Sequence, residues 1–372
     1  MNFYETFVLV EQGLRTLQRG RSTKKPNFFF AMPNVSIHSA GGPLDIAYTI
    51  ATPTSPSAKA ITPGLPTLLL LHSMCLGQMS FHKQFTDARL RRFNLVTLDL
   101  RSHGATIGAV KDSYGVAEAV DDVDKFIDAI SLPSELHLVG TNIGALIAIE
   151  LAALRGKRFA SLTLISPAPI AEPAHVADGR REIYECWSAA FSDTPDPSAV
   201  LDAVCGAMQL GCNGQTNSYI KALVAQTLEV GERNWTPPNL EAYNRAIVTF
   251  FTDRSPPTLR GIACPVLLVQ AGEDVAYKLA GTESLRDAMR ANGVSSVRIE
   301  VIPGAPQWAH VTDPEAVNKL IHDHVMDCHA DADIPPAFKG QPVSPFAAPL
   351  AKAGYRPGRR GDDSDDSDDE SD

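Results

Sequence analysis

One stretch of sequence decides the predicted fold, Leu138-Val139-Gly140-Thr141-Asn142-Ile143-Gly144-Ala145-Leu146. A short apolar run precedes Gly140, as expected of a buried strand, and a helical pattern over 143–155 follows Asn142. The turn between them lies between two glycines. A strand that leads directly into a helix is typical of the βαβ units that build a parallel sheet.

The same alternation of strands and helices continues on both sides of this stretch. Eight strands are predicted, at Val35–His38, Leu44–Ile50, Thr67–His72, Asn94–Asp99, Glu135–Val139, Ser161–Ser166, Pro265–Gln270 and Val297–Ile302. Helices are predicted near 78–90, 114–130, 143–155, 277–291 and 314–327. The first two strands form an antiparallel hairpin in this prediction, and the remainder form an α/β fold around a mostly parallel sheet.

The strand signal is interrupted once, and this interruption defines the domain organisation. Residues 171–258 read as helices rich in aromatic side chains, which indicates a helical cap inserted into the sheet domain. The core then comprises 33–170 and 259–328, after an N-terminal extension over 1–32. Proline, alanine and acidic residues dominate 329–372, and we predict that this tail is disordered.

Composition excludes several classes of function. The chain has 33 basic and 43 acidic residues, and eight of the acids lie in 362–372, so the remainder is close to neutral. A body without a basic surface is not expected to bind nucleic acid. Uninterrupted apolar runs such as Leu68–Leu71 are far too short to span a membrane. The six cysteines lack the spacing of metal ligands, and we expect no metal ion and no cofactor.

The two ends of the chain carry separate predictions. An apolar helical face with basic residues behind it, within 1–25, resembles a mitochondrial targeting peptide, but Glu5 and Glu11 favour a surface helix and a cytoplasmic protein. In the acidic tail, Ser367 with Glu370 three residues later suits an acid-directed kinase. The tail is otherwise a solubilising or protein-binding segment.

Five short segments follow predicted strands in a fixed order. They are Leu71-His72-Ser73, Asp99-Leu100-Arg101-Ser102-His103-Gly104, Gly140-Thr141-Asn142-Ile143-Gly144, Gly272-Glu273-Asp274 and Gly304-Ala305-Pro306-Gln307. As an ordered set they resemble the α/β-hydrolase superfamily, in particular capped esterase-like and epoxide-hydrolase-like members, over about residues 33–328. The resemblance implies an eight-stranded, mostly parallel sheet with helices on both faces and a cap over the site.

The resemblance also implies a catalytic triad, and two of its three positions are substituted. The nucleophile position is Asn142, the histidine position is Gln307, and the acid is Asp274. A carboxamide does not ionise to a nucleophile near neutral pH, and a glutamine cannot act as a general base. We therefore predict a static hydrogen-bonded chain, in which Gln307 donates to Asp274 and accepts from Asn142.

Other residues of the site follow from the same resemblance. The backbone amides of Met74 and Ile143 match the oxyanion hole, with Ser73 in the loop before Met74. His310 and Cys75 are candidate replacement groups, although a packed histidine and a small buried thiol are the alternatives. In the cap, Tyr184 and Trp187 are candidates for the pocket wall.

Three functions are compatible with these residues. The leading interpretation is a catalytically degenerate hydrolase that binds a small apolar molecule with a carbonyl or carboxylate group. The second is an active hydrolase of esters or related bonds that uses a non-standard catalytic group. The third is a scaffold that acts through the acidic tail.

Overall fold

The computed structural model describes residues 32–192, 196, 198–329 and 334–358. The predictions for residues 1–31 and for the acidic tail, including Ser367, lie outside the described residues. Within them, every strand predicted from the sequence is present, because each apolar run is buried on both faces of the sheet or forms its edge.

The eight strands form one sheet in the order β1-β2-β4-β3-β5-β6-β7-β8. Their bounds are β1 Asn34–Ser39, β2 Gly42–Ala51, β3 Thr67–Leu71, β4 Asn94–Leu98, β5 Leu136–Thr141, β6 Phe159–Ile165, β7 Val266–Ala271 and β8 Val297–Ile302. The β1–β2 and β2–β4 pairs are antiparallel, and all other pairs are parallel. The carboxyl ends of β3 to β8 therefore meet at one edge of the sheet.

Helices cover both faces of this sheet. In the core they are α1 His82–Phe85, α2 Val116–Ala129, α3 Ile143–Arg155, α9 Leu279–Ala291, α10 Ala309–Thr312 and α11 Pro314–Asp327. The predicted helix at 78–90 is a 3₁₀ turn over Gln78–Phe81 followed by the short α1. Its last turn is lost because Asp87 accepts hydrogen bonds from the amides of Arg89 and Leu90, which a continuing helix would bond to carbonyl groups.

A helical cap is inserted between β6 and β7. Its helices are α4 Ala174–Ala189, α5 Ala199–Cys212, α6 Ser218–Asn234, α7 Leu240–Tyr243 and α8 Phe250–Thr252, with a π-helical turn over Asn244–Thr249. The cap contacts the core through Tyr219, whose hydroxyl donates to the carbonyl groups of Met79 and Ser80. No helix among the described residues has the length and apolar character needed to cross a bilayer.

The prediction of disorder for the whole of 329–372 is wrong for residues 334–358, the C-terminal strap. Phe346 and Leu350 are fully buried, in a stretch that includes α12 Ala347–Lys352. The ring of Phe346 packs edge-on against Phe85 of the core at 5.1 Å, and Tyr355 packs on Tyr219 of the cap at 5.3 Å. The strap is ordered because a few apolar side chains anchor it, which its proline-rich composition conceals.

Replacing Phe346 by alanine should destabilise the protein. Removing a fully buried phenylalanine costs about 3–5 kcal/mol of unfolding free energy through lost burial and the cavity left behind. Phe338, in the same strap but 38% exposed, is the matched control, and Phe338→Ala should cost less, on the order of 1 kcal/mol. Denaturant unfolding measures both variants. Equal stabilities for the two would contradict a packed strap.

Candidate active site

The elbow, residues Gly140–Gly144, joins β5 to α3 at the carboxyl edge of the sheet. Asn142 is 1% exposed, with φ 51° and ψ −108°, the backbone conformation of the first central position in a type II′ turn, where glycine and asparagine are favoured. The flanking glycines are required by close packing. A Cβ at Gly140 would lie 2.4 Å from the carbonyl oxygen of Gly144, and one at Gly144 would lie 2.2 Å from that of Leu71. The turn is thus kept with an amide at its apex.

Asp274 lies in the turn after β7 and is fully buried. Its Oδ1 accepts hydrogen bonds from the backbone amides of Ala276 at 2.8 Å and Tyr277 at 2.9 Å. Its Oδ2 is buried and has no hydrogen-bond partner. Burial disfavours the charged form and raises the pKa of Asp274 to about 6, despite those amides. The carboxyl group is therefore close to half-ionised just below neutral pH.

Gln307 lies in the loop after β8 and is 3% exposed. The amide of Glu273 donates to the carbonyl group of Ala305 at 2.9 Å, which ties this loop to the turn that carries Asp274. The side-chain nitrogen Nε2 of Gln307 has no hydrogen-bond partner. The side chain of Gln307 is a neutral amide, whereas a Ser–His relay requires a base at this position.

The hydrogen-bonded chain predicted for Asn142, Gln307 and Asp274 is wrong. The Nδ2 of Asn142, the Nε2 of Gln307 and the Oδ2 of Asp274 are all buried without a partner. Asp274 is instead satisfied on one side by the amides of its own turn, which are closer in the chain than any side chain. The site thus presents two unused donors and one unused acceptor.

Ser166 was missed by sequence reasoning. It follows β6, the strand between β5 and β7, so it lies at the same edge of the sheet as Asn142 and Asp274. Its φ is 45° and its hydroxyl is buried without a hydrogen-bond partner. A serine at the end of a strand, before Pro167-Ala168-Pro169, was the available signal.

The oxyanion candidates occupy the loop after β3 and the start of α3. Ile143 is the first residue of α3, and amides in the first turn of a helix have no intrahelical partner. Within the described residues no hydrogen bond from the backbone amide of Met74 is found. Ser73, before it, is buried, and its hydroxyl accepts from Thr141 at 3.2 Å. The turn of this loop uses Cys75, with φ 63°, as its left-handed residue.

Neither candidate replacement group is activated in this structure. Burial raises the pKa of Cys75 to about 12, so its side chain is a thiol, whose neutral form is a poor nucleophile. Burial lowers the pKa of His310 to about 3, and both of its ring nitrogens lack a hydrogen-bond partner. The ring of His310 packs against Phe81 at 5.3 Å. His103 supports the loop instead, by accepting from the amide of Cys75 at 3.3 Å.

A cavity lies between the cap and these loops. Trp187 and Cys75 line it, whereas Tyr184 packs against Tyr243 at 5.6 Å and is not among the described lining residues. Trp308 and Trp235 also line it and were missed by sequence reasoning. The signal for Trp308 was its position directly after Gln307.

The part of the chain that the structure describes contains no set of side chains suited to bind a metal ion. There, no group of three or more histidine, cysteine, aspartate or glutamate side chains is placed to hold an ion. What the site offers is an unpaired carboxylate oxygen, two amide donors and two candidate backbone donors.

Comparison with known proteins finds relatives and structural neighbours that are named as a lipase, an esterase and a lactonase. A mouse protein named monoacylglycerol lipase ABHD6 is 22% identical over 275 residues, which cover 71% of this chain and 76% of the relative. A thermophilic esterase from Thermogutta terrifontis superposes with a TM-score of 0.60 and 18% identity over 80% of this chain and 99% of the esterase. The enol-lactonase from Burkholderia xenovorans superposes with a TM-score of 0.59 and 18% identity, covering 78% and 100% of the two chains.

The two superposed structures have the fold that the five sequence segments predict. The model of the α/β hydrolase family matches residues 68–320, from the start of β3 to within α11, and so includes the elbow, Asp274 and Gln307. Since this match spans more than half of the sequence, the chain belongs to the α/β hydrolase family.

Proposed function

We propose that this protein hydrolyses small apolar esters with water as the nucleophile and Asp274 as the general base. The named relatives include a lipase and an esterase, and they support hydrolysis, the second interpretation of the sequence, better than binding alone. The residues at the elbow and after β8 oppose an acyl-enzyme route, because neither Asn142 nor Gln307 can perform the steps it requires. Direct attack by water is compatible both with hydrolysis and with the amides at positions 142 and 307.

The observation that carries this proposal is the set of unpaired polar atoms at the three triad positions. A buried polar group without a partner costs about 1–3 kcal/mol, so a bound oxygen that pairs with several such groups is favoured. Water complements this set, because it can donate to Oδ2 of Asp274 and accept from the NH₂ groups of Asn142 and Gln307. The side-chain amides of Asn142 and Gln307 then orient the nucleophilic water, although neither amide can itself act as the nucleophile.

The proposed reaction proceeds through one tetrahedral intermediate. Oδ2 of Asp274 takes a proton from water as the water oxygen bonds to the ester carbonyl carbon. The amides of Met74 and Ile143 donate to the resulting oxyanion. Collapse of the intermediate breaks the bond to the alkoxy oxygen, which takes the proton from Asp274 and leaves as the alcohol. The products are a carboxylic acid and an alcohol, and Asp274 is again ionised.

The electrostatics of Asp274 suit this role. An ordinary aspartate is too weak a base near neutral pH, but burial raises the pKa of this one to about 6. Above that pH the group is ionised and is a stronger base than an exposed carboxylate. The local backbone donors hold Oδ1, which leaves Oδ2 for the water.

A second function is favoured by one specific observation. The amides at positions 142 and 307 remove both groups that a Ser–His relay uses, and the same pocket then binds a small apolar carbonyl compound or carboxylate without converting it. In this case the ligand class is unchanged and only turnover is lost. The acidic tail as a kinase substrate or protein-binding segment, and a cytoplasmic location, stay predictions from the sequence.

Asp274→Asn should remove most of the esterase activity. We expect hydrolysis of p-nitrophenyl butyrate by the wild-type protein to rise with pH through about 6 and then level off, since the ionised carboxylate is the active form. The variant should lose about 100-fold or more in rate, the usual contribution of a general base. Glu273→Gln, which changes the exposed neighbouring carboxylate, is the control and should retain the wild-type rate and pH profile.

Two results would overturn parts of this proposal. A wild-type rate equal to that of buffer, together with saturable binding of the ester, would replace hydrolysis by the binding function. A rate above background that Asp274→Asn leaves unchanged would exclude Asp274 as the base.

The same substitution should stabilise the fold at neutral pH, which separates a loss of activity from a loss of structure. The pKa of Asp274 is higher in the folded protein than the ordinary 3.8, so its contribution to stability is full below pH 3.8 and is lost as pH rises through about 6. Relative to wild type, Asp274→Asn should gain about 3 kcal/mol of unfolding free energy above pH 7 and almost nothing at pH 4.

Urea unfolding of both proteins at several pH values measures this gain. A difference that is the same at pH 4 and pH 8 would show that Asp274 does not carry a buried charge.

A further inference from the structure

The cavity between the cap and the site loops is small and almost entirely apolar. Its volume is about 50 Å³, and its wall includes Trp187, Trp235 and Trp308 together with Cys75 and Thr227. These are all three tryptophans of the chain. Large aromatic walls around a small space favour an apolar group of limited length.

Three polar groups of this wall already form hydrogen bonds within the protein. The indole nitrogen of Trp187 donates to the carbonyl group of Trp235 at 2.8 Å, and that of Trp235 donates to the hydroxyl of Ser102 at 2.8 Å. The hydroxyl of Thr227 donates to the carbonyl group of Cys75 at 2.5 Å. A polar ligand group entering the cavity would lose its hydrogen bonds to water without replacement from these groups.

The position of the cavity relates it to the proposed chemistry. Cys75 directly follows Met74 of the oxyanion loop, and Trp308 directly follows Gln307. The cavity therefore adjoins the site on two of its sides. An ester whose carbonyl oxygen is held at the amides of Met74 and Ile143 would have its carbonyl carbon next to the water at Asp274 and its acyl chain in this space.

We propose that this cavity is the acyl pocket and that it restricts the substrates to short acyl chains, with Trp308 setting the limit. This inference rests on the proposed function. A cavity of 150 Å³ lined by aliphatic and aromatic side chains binds benzene, so a space of about 50 Å³ holds about two or three carbons beyond the carbonyl. The preferred acyl groups are then propionyl and butyryl, and an octanoyl chain is too long.

Trp308 is held so that it cannot give way to a longer chain. Its amide donates to the carbonyl group of Gly211 in α5 at 2.7 Å. Its indole ring lies directly on that helix, because a Cβ at Gly211 would be 2.2 Å from Cε2 of the ring. Only a glycine allows this approach, and the contact leaves the ring no space to retreat toward α5.

Trp308→Ala should extend the range of acyl chains. With the wild-type protein, p-nitrophenyl butyrate should be hydrolysed at least about tenfold faster than the octanoate ester, because additional methylenes overfill a packed space. In Trp308→Ala the ratio of octanoate to butyrate rates should rise at least about tenfold. Tyr184→Ala removes a cap aromatic that is not among the lining residues, and it should leave the ratio unchanged.

A binding measurement keeps this inference separate from turnover. Butyramide and octanamide are neutral carbonyl compounds that resist hydrolysis, and tryptophan emission reports occupancy because every tryptophan lines the cavity. Butyramide should change the emission of the wild-type protein in a saturable way and octanamide should not, whereas Trp308→Ala should respond to both.

The outcomes distinguish the two proposals. Chain-length selection in emission without any turnover would support the pocket and overturn the hydrolase function. Turnover that depends on Asp274 but shows equal rates for butyrate and octanoate in wild type would support the function and overturn the pocket. An unchanged ratio in Trp308→Ala would exclude Trp308 as the limit.

Discussion

The close contact between α3 and β3 is the constraint on which the rest of the structure depends. Gly144 allows the helix backbone to approach the carbonyl group of Leu71, and no side chain could occupy that space. This contact, together with Gly140, sets where α3 begins and forces the residue between them into a conformation with φ 51°. Asn142 adopts that conformation, which is sparsely populated for residues other than glycine and is held in place by this packing. The elbow is therefore preserved as a structure although its usual chemistry is absent.

Once the elbow is held, the carboxyl edge of the sheet brings the other site residues to it. Asp274 and Gln307 follow β7 and β8 at the same edge, and the bond between Glu273 and Ala305 joins their loops. Burial favours the neutral form of each ionisable group in the site, and the chemical consequence differs between them. It raises the pKa of Asp274 to about 6 and makes it a useful base, but it keeps Cys75 as a thiol and His310 neutral. Water with a carboxylate base is the chemistry that these environments permit.

The sequence predicted the parts of the molecule that follow from local pattern. Alternating apolar runs and helical patterns placed all eight strands, and the two glycines placed the elbow. Two features depended on contacts distant in sequence and were not predictable from it. The strap is ordered by the contact between Phe346 and Phe85, and one wall of the cavity is fixed by the contact of Trp308 with Gly211. Composition and spacing carry no information about which side chains come into contact across the fold.

The intact mass of the protein during turnover tests the central claim most directly. Wild-type protein that is hydrolysing p-nitrophenyl butyrate is quenched in acid and its mass is measured, with Asn142→Ser/Gln307→His as the variant that restores a nucleophile and a base. Attack by water predicts wild-type protein of unchanged mass at every time point, with product released at a constant rate from the start. A butyryl adduct on the wild-type protein, located by peptide mapping at Ser166 or Cys75, would contradict the account.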